Sequence, residues 1–373
     1  MARLVNIAAV CNDIFAGGDA PKGHISSAPS ERFPIPIYSN GEENEGLYGY
    51  TDIARVTEPS ITVSARGTIG FTAIREKPFV PIVRLITLVP NTNEICLRYL
   101  YYAIQNYNFS GSGTSIPQLT VPMLKRYSFM MPDKEEQKHI IGVLDRLSAL
   151  ISLRKKQLQK LDDLVKSRFA EMFGDSGKQV LLSDYVWFQE GPGVRSVDFT
   201  QSGTILLTGS NINDNEISFG YKSDRFVSNG LATGKYAHFM CDENDVLVVS
   251  SAIDPEKFDK KVTIVKEGNK YCLNTGIIRF KPNKKYLTIG YFIEFLKTDY
   301  FKHQVMEEMR GIAQMHFGPS HLKKMTLLFP PSLEKQMEFD NFIATVDNTK
   351  LTVKQGLDKL ELVKQSLMQQ YFG

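Results

Sequence analysis

Few side chains in this sequence stand at spacings that could do covalent chemistry. Asp254, Glu256 and Lys257 bring two carboxylates and an amine within four positions, the residue types of a nuclease triplet. A solvated charged loop accounts for the same three residues. Phe329-Pro330-Pro331-Ser332 carries the paired prolines of a methyltransferase active-site motif but lacks its leading Asn or Asp, and no Gly-rich cofactor turn accompanies it. Its place between a strand and a helix explains the prolines structurally. No phosphate-binding loop of the Walker type occurs, which excludes a nucleotide-driven motor. The four cysteines (Cys11, Cys96, Cys241, Cys272) form neither a CxxC pair nor a Cys/His ligand set, and the six histidines show no metal spacing. Reduced thiols of a cytosolic protein are the reading that fits. No catalytic set is legible in these residues.

The elements that must position any recognising side chain repeat along the chain. Residues 130–174 and 329–373 align at an offset of 199, which lays Gly174 on Gly373. Pro132/Pro331, Glu135/Glu334, Gln137/Gln336, Leu158/Leu357, Leu161/Leu360, Ser167/Ser366 and Phe173/Phe372 then coincide. The repeat extends backwards with a drifting offset. Leu124-Lys125-Arg126 matches Leu322-Lys323-Lys324, and Pro90-Asn91 matches Pro282-Asn283. Tyr99-Leu100-Tyr101 matches Tyr291-Phe292-Ile293, and Thr62-Val63-Ser64 matches Val248-Val249-Ser250. Leu4-Val5-Asn6 corresponds weakly to Leu181-Leu182-Ser183. A unit this long is a duplicated globular module followed by a helix, not a solenoid. The expected organisation is a globular domain over 1–131, a long helix over 132–174, a second globular domain over 175–329 and a second helix over 330–373, with pseudo-twofold symmetry suited to a two-part target.

Within the first domain, short apolar runs at Phe33–Tyr38, Ile61–Ser64, Val83–Val89 and Tyr127–Met131 predict strands between Gly, Pro and Asn punctuation, with a helix near Leu97–Asn106. The second domain repeats the plan with strands near Ile205–Thr208, Val246–Ser250 and Gly276–Phe280, and a helix near Ile289–Glu308. A net charge of +3 permits a nucleic-acid partner without demanding one. The start, MARLVNIAAVC, superficially resembles a lipoprotein signal, but its apolar run is short and broken by Asn6. No apolar stretch reaches the ~18 residues of a membrane span, and a cytoplasmic protein is expected.

The long helices carry coiled-coil spacing. The first has a seam at Ile140, Leu144, Leu147, Ile151, Arg154, Leu158, Leu161, Val165, Arg168 and Met172. The second has Phe339, Ile343, Val346, Lys350, Val353, Leu357, Leu360, Lys364, Leu367 and Tyr371. Steps of four and three alternate, giving the 3.5-residue period of a coiled coil. The polar breaks never fall at equivalent positions, so pairing the two helices within one chain lets each charged stem lie along an apolar neighbour. Each helix is expected to run about 35–38 residues, or ~55 Å. Leu144, Leu147, Leu158, Leu161, Ile343, Val346, Leu357 and Leu360 are the expected pairing residues.

Residues 311–336, GIAQMHFGPSHLKKMTLLFPPSLEKQ, resemble the end of a target recognition domain in type I restriction–modification specificity subunits. There a Gly-x-Ala-Gln loop leads through a Leu-Lys-Lys strand into Pro-Pro-x-x-Glu-x-Gln and a long helix. Residues 113–137 look like a first copy, with Pro-Asp-Lys-Glu-Glu-Gln at 132–137 but Ser115-Ile116 in place of Ala313-Gln314. The resemblance implies an α+β fold: two β-rich target recognition domains separated by two long helices that form an antiparallel coiled coil. It also implies a non-catalytic subunit that reads a bipartite, asymmetric site on double-stranded DNA. Two adenine methyltransferase subunits, which use S-adenosylmethionine, and restriction/translocase subunits are the implied partners; no cofactor is expected in this chain itself. A coiled-coil scaffold that binds proteins and a self-contained DNA-modifying enzyme are the competing readings.

Reading DNA needs cations for phosphates and polar side chains for base edges. The candidates are Lys22, Arg66, Ser112, Thr114 and Gln118 in the first domain. In the second they are Arg195, Lys222, Arg225, Lys235, Gln314 and His316. Arg66 stands out because it follows a predicted strand and precedes Gly67, where glycine would let a backbone approach closely.

Overall fold

A computed structural model describes residues 2–107, 109, 118–174, 177–220, 222–252, 254–309, 316–329 and 332–373. The fold is α+β, and it divides into two compact units. One comprises residues 1–156 and 353–373, the other residues 157–352.

The first unit is built on a four-stranded antiparallel sheet in the order Cys11–Ala16, Ile86–Pro90, Ser60–Val63, Thr72–Arg75. Its central strands are buried along their length, as their apolar and β-branched content requires. A smaller sheet, ordered Leu47–Thr51, Ile35–Tyr38, Val80–Pro81, ends in a parallel pair. Arg3–Asn6 pairs with Ser128–Met131. The second unit repeats the order with Val186–Glu190, Ile277–Pro282, Val246–Val249 and Val262–Ile264, and again has a second sheet whose Thr204–Leu207 and Tyr271–Leu273 run parallel. Lys178–Leu181 pairs with Thr326–Phe329. The duplication is therefore one of topology as well as of sequence.

Strand register corrects the repeat alignment in two places. Val63 lies opposite Ile86 and Val248 opposite Ile278, so Val63 corresponds to Val248 and the match through Ser64/Ser250 is one residue out. Ile7 donates its N–H to Tyr127 and Leu182 donates to Met325, which equates Ile7 with Leu182 rather than Leu4 with Leu181. Burial set the register here: Ile7 and Leu182 are both fully buried, and shared letters on exposed positions are no guide. The strand expected from Val83 starts at Ile86, because Val83 and Arg84 take left-handed φ angles of 53° and 63°. The single helix expected over Ile289–Glu308 is two, Ile289–Lys297 and Asp299–Glu308. Thr298, with extended ψ, breaks it and caps the second piece through its hydroxyl.

The long helices run Lys134–Phe173 and Leu333–Phe372, 40 residues each and a few longer than expected, or ~60 Å. Asp133 Oδ1 accepts from Glu136 N at 3.0 Å and Ser332 Oγ from Lys335 N at 3.3 Å, so both helices start at side-chain caps with acidic first turns. Gly174, at φ 54°, closes the first.

Within each unit the two helices run antiparallel. In the first, Ile140 and Leu144 share a buried cluster with Met368 and Phe372, and Lys155 pairs with Glu361 at 2.9 Å. In the second, Val165 and Phe169 pack with Phe339 and Val346, and Lys350 meets Asp162 at 2.7 Å. Ile140, Leu144, Val165, Phe339, Val346 and Val353 are buried, and Leu147, Leu158, Leu161, Ile343, Leu357 and Leu360 half-buried. Arg154 is exposed. Phe169, Met368 and Phe372 are buried outside the expected seam, Phe372 packing on Tyr99 and Phe169 on Tyr291, each in a short helix of its unit. The polar breaks rest on charges and rings as well as on apolar stems: Arg168 reaches Glu338 at 3.1 Å, and Lys364 lies over the Tyr102 ring at 5.8 Å. Burial holds the Lys364 ammonium below its ordinary pKa.

Candidate nucleic-acid interface

In each unit three strand ends converge at one end of the main sheet. Ala16 and Val63 both register with Ile86, and Glu190 and Val248 both register with Ile278. The loops leaving these strands are tied together by the same backbone bonds in both units. Leu119 N donates to Ala65 O at 2.9 Å, and Phe317 N donates to Ser250 O at 3.0 Å. Gly17 N donates to Leu85 O at 2.8 Å, and Gly191 N to Ile277 O at 3.1 Å. Both glycines are required by packing. A Cβ on Gly17 would stand 2.6 Å from the Pro81 carbonyl carbon, and one on Gly191 2.5 Å from that of Asn274.

On this shared backbone the two units display different side chains. In the first, Arg66 Nη2 donates to Gln118 Oε1 at 2.9 Å, which brings two of the sequence candidates together. Asn40 braces the site: Oδ1 accepts from Ala65 N and Nδ2 donates to Val83 O, both at 2.7 Å. Gly67 takes a left-handed φ of 67° and has open space in its Cβ direction. In the second unit the positions of Arg66 and Gln118 are taken by Ser251 and His316. Ser251 Oγ lies 2.7 Å from His316 Nδ1, and His316 Nε2 lies 3.3 Å from Glu190 Oε1, which also accepts from Gly276 N. Both ring nitrogens of His316 are engaged, so the histidine braces the loop cluster as well as facing outward.

The other candidates scatter. Lys22 and Lys222 are exposed in turns, and Arg195 is exposed ahead of a short 3-10 helix. Arg225 Nη1 donates to the Ser223 and Asp224 carbonyls, and its guanidinium lies 5.9 Å from the Phe199 ring centre. Lys235 is tied to Asp198 at 2.9 Å. Hydrogen bonds from Tyr236 and then Lys235 hold the Asp198 carboxyl below the usual carboxylate range. Local structure therefore already uses Arg225 and Lys235. Ser112, Thr114 and Gln314 lie outside the described residues. Sequence reasoning missed Asn40, Glu190 and Ser251, which are ordinary polar residues until strand pairing brings distant loops together; the repeated Gly17/Gly191 was the available signal. Among the described residues no group of three or more His, Cys, Asp or Glu could hold a metal ion, and no helix is long and apolar enough to cross a membrane.

A chain with two sheet-end loop clusters on one backbone plan can be compared with known families. It matches the type I restriction modification DNA specificity domain over residues 11–163 and again over 187–362. The chain belongs to this family. A putative type I specificity subunit of Mycoplasma pneumoniae is 36% identical over 167 residues, covering 42% of this chain and 49% of the relative. The specificity subunit of the type I restriction enzyme MjaIX of Methanocaldococcus jannaschii is 26% identical over 167 residues, covering 43% and 38%. The chain spans about half the length of the curated relatives it matches first. In fold, the specificity domains are similar to the crystal structure of a type I restriction-modification S subunit from M. genitalium, at 17% identity over 100% of this chain and 96% of that one, with TM-score 0.51. A chain from a structural study of complex assembly and conformational transition in the type I restriction-modification system gives TM-score 0.55 at 13% identity, over 99% and 97%.

Proposed function

We propose that this chain is the DNA sequence-recognition subunit of a type I restriction–modification complex, with recognition domains over 1–131 and 175–329 that read the two halves of an asymmetric bipartite site. The observation that carries the reading is the loop cluster built twice on one backbone, with Arg66 and Gln118 in one copy and Ser251 and His316 in the other. A common scaffold with divergent polar ends is what two different half-sites require, because base edges are told apart by donor and acceptor pattern. The chain itself supplies recognition and not catalysis. The reaction belongs to adenine methyltransferase subunits that bring S-adenosylmethionine, with restriction/translocase subunits joining them in the cytoplasm. Exposed Leu150, Leu153, Leu164, Leu351 and Leu362 on the long helices support docking of such partners there.

The test is to map methylated adenines across a genome in which this chain is the specificity subunit supplied. The expected motif is two different half-sites around an unspecified spacer of fixed length. Replacing residues 1–125 by those of a relative should change one half-site only. Removing seven residues from each long helix should shorten the spacer or abolish activity, leaving both half-sites unchanged. A continuous motif or a freely varying spacer overturns the reading. Methyl transfer by the purified chain alone would instead favour a self-contained enzyme. Absence of DNA binding, even with partner subunits, would favour a protein-binding scaffold.

A further inference from the structure

Two arginines of the first unit have no role in the recognition cluster described above, and both flank one glycine pair. Gly17 and Gly18 follow the strand Cys11–Ala16. Gly17 O accepts from Arg84 N at 3.0 Å, and Gly18 O accepts from Val83 N at 2.8 Å. These bonds hold Val83 and Arg84 in left-handed conformation, which a β-branched residue adopts only when its surroundings enforce it. On the other side a Cβ at Gly18 would stand 2.7 Å from Arg55 Nη1, so the absent side chain is the space the Arg55 guanidinium occupies. Arg55 and Arg84 are both exposed. The ion pairs of the described residues include neither, whereas Arg3, Arg75, Arg98, Arg168 and Arg279 each have a carboxylate partner. Asn40 joins the Val83 carbonyl to the backbone at Ala65, one residue before Arg66. The strained turn is thus anchored to the recognition cluster and presents beside it two guanidiniums that have no carboxylate partner among the described residues, Arg55 resting 5.8 Å from the Phe15 ring centre.

The geometry points to Arg55 and Arg84 as a phosphate clamp astride Gly17–Gly18, gripping the DNA backbone next to the bases that Arg66 and Gln118 address. Guanidinium suits this task because its forked donors match phosphate oxygens, and the hydrogen-bonded left-handed backbone fixes where the Arg84 side chain leaves the turn. The inference rests on the proposed DNA-recognition function. Its signature differs from base reading: a phosphate contact adds affinity on every sequence and steepens the salt dependence.

The full chain, with its methyltransferase subunits, is titrated against a random-sequence duplex and against a duplex carrying the mapped target, at several salt concentrations. Arg55→Ala with Arg84→Ala should weaken both by a similar factor, on the order of tenfold or more, and lower the slope of log K against log salt by ~0.9 for each phosphate no longer neutralised. Arg→Lys at both positions should retain most of the slope. Gly18→Ala, which displaces Arg55, should reproduce part of the loss, and unchanged melting of the variants shows that folding is not the cause. If the unmodified complex binds both duplexes and the double variant matches it in affinity and slope, the clamp is wrong and the recognition function stands. A loss confined to the target duplex would make these residues base readers and also overturn the clamp. If the unmodified complex binds neither duplex, the recognition function fails and the clamp with it.

Discussion

Phe372 packs against Tyr99, their ring centroids 4.9 Å apart, and Tyr99 Oη donates to the Met130 carbonyl at 2.7 Å. The second unit contains the counterpart: Phe173 lies 4.9 Å from Tyr291, whose hydroxyl donates to Leu328 O at 2.5 Å. The closing aromatic of each sequence repeat therefore packs on the helix of the other repeat. The duplicated segment and the compact unit are different pieces of chain. Phe372→Ala should destabilise the first unit by about 3–5 kcal/mol, as for a buried aromatic truncated in a packed core. Phe173 is only half-buried, and Phe173→Ala should cost less. Denaturant unfolding of both variants checks the order, and equal costs would show that exposure does not set it.

Gln137 and Gln336 are buried at equivalent places and do equivalent work. Gln137 Oε1 accepts from Cys96 N at 2.9 Å, and Gln336 Oε1 accepts from Thr288 N at 2.9 Å. Their amides donate to the Pro132 and Tyr286 carbonyls, each at 3.0 Å. Each fastens the start of a long helix to the start of a domain helix. Replacing either by Ala leaves buried backbone groups unpaired and should cost roughly 1–3 kcal/mol. Gln→Glu should be worse than Gln→Ala at neutral pH, since a carboxylate cannot donate to the carbonyl it would face. Thermal melts of the four variants test this ranking.

Burial grades the seam. Leu144 is fully buried against both helices and sheet of its unit, whereas Leu158 and Leu357 are half-buried. Leu144→Asp should cost more than about 4 kcal/mol, because a carboxylate there has no partner, and Leu158→Asp or Leu357→Asp about 1–3 kcal/mol. Should Leu158→Asp unfold the chain while Leu144→Asp leaves it intact, the seam has been drawn through the wrong residues.

Lys166 on the first long helix donates to Asp259 Oδ2 at 2.7 Å. Burial pushes the Asp259 carboxyl up, but the hydrogen bond and charge of Lys166 outweigh it and leave the carboxyl below its ordinary value. The same bond raises the Lys166 ammonium, outweighing burial, which lowers it. A depressed carboxyl contributes stability that is present above its unfolded pKa and is lost as pH falls through the folded one. A raised ammonium contributes below its unfolded pKa and loses that contribution as pH rises through the folded one. Asp259→Asn should therefore lower stability at neutral pH by up to about 1 kcal/mol, with the difference from the unmodified chain vanishing in strong acid. Unfolding curves at pH 7 and in strong acid decide it, and a difference that persists in acid would assign the effect to packing.

The duplication, the two long helices and their coiled-coil seam were legible in the sequence, because periodicity and capping act over neighbouring residues; the family and the antiparallel sense were legible only through the resemblance carried by residues 311–336. Pro132, Glu135, Gln137 and their counterparts mark the start of a helix in any context, and a 3.5-residue apolar period selects a partner helix before any sheet exists. Only the tertiary structure decided which residues face one another across the loops. Ala65 finds Leu119 and Ser250 finds Phe317 because strand register brings those loops to one sheet end, and register is chosen by burial on both faces of a strand, which a one-residue slip would invert. For the same reason Asn40, Glu190, Ser251, Arg55 and Arg84 read as ordinary surface residues in the linear sequence. Their significance comes from partners tens of residues away, and from left-handed turns at Val83 and Arg84 that no local preference would have chosen.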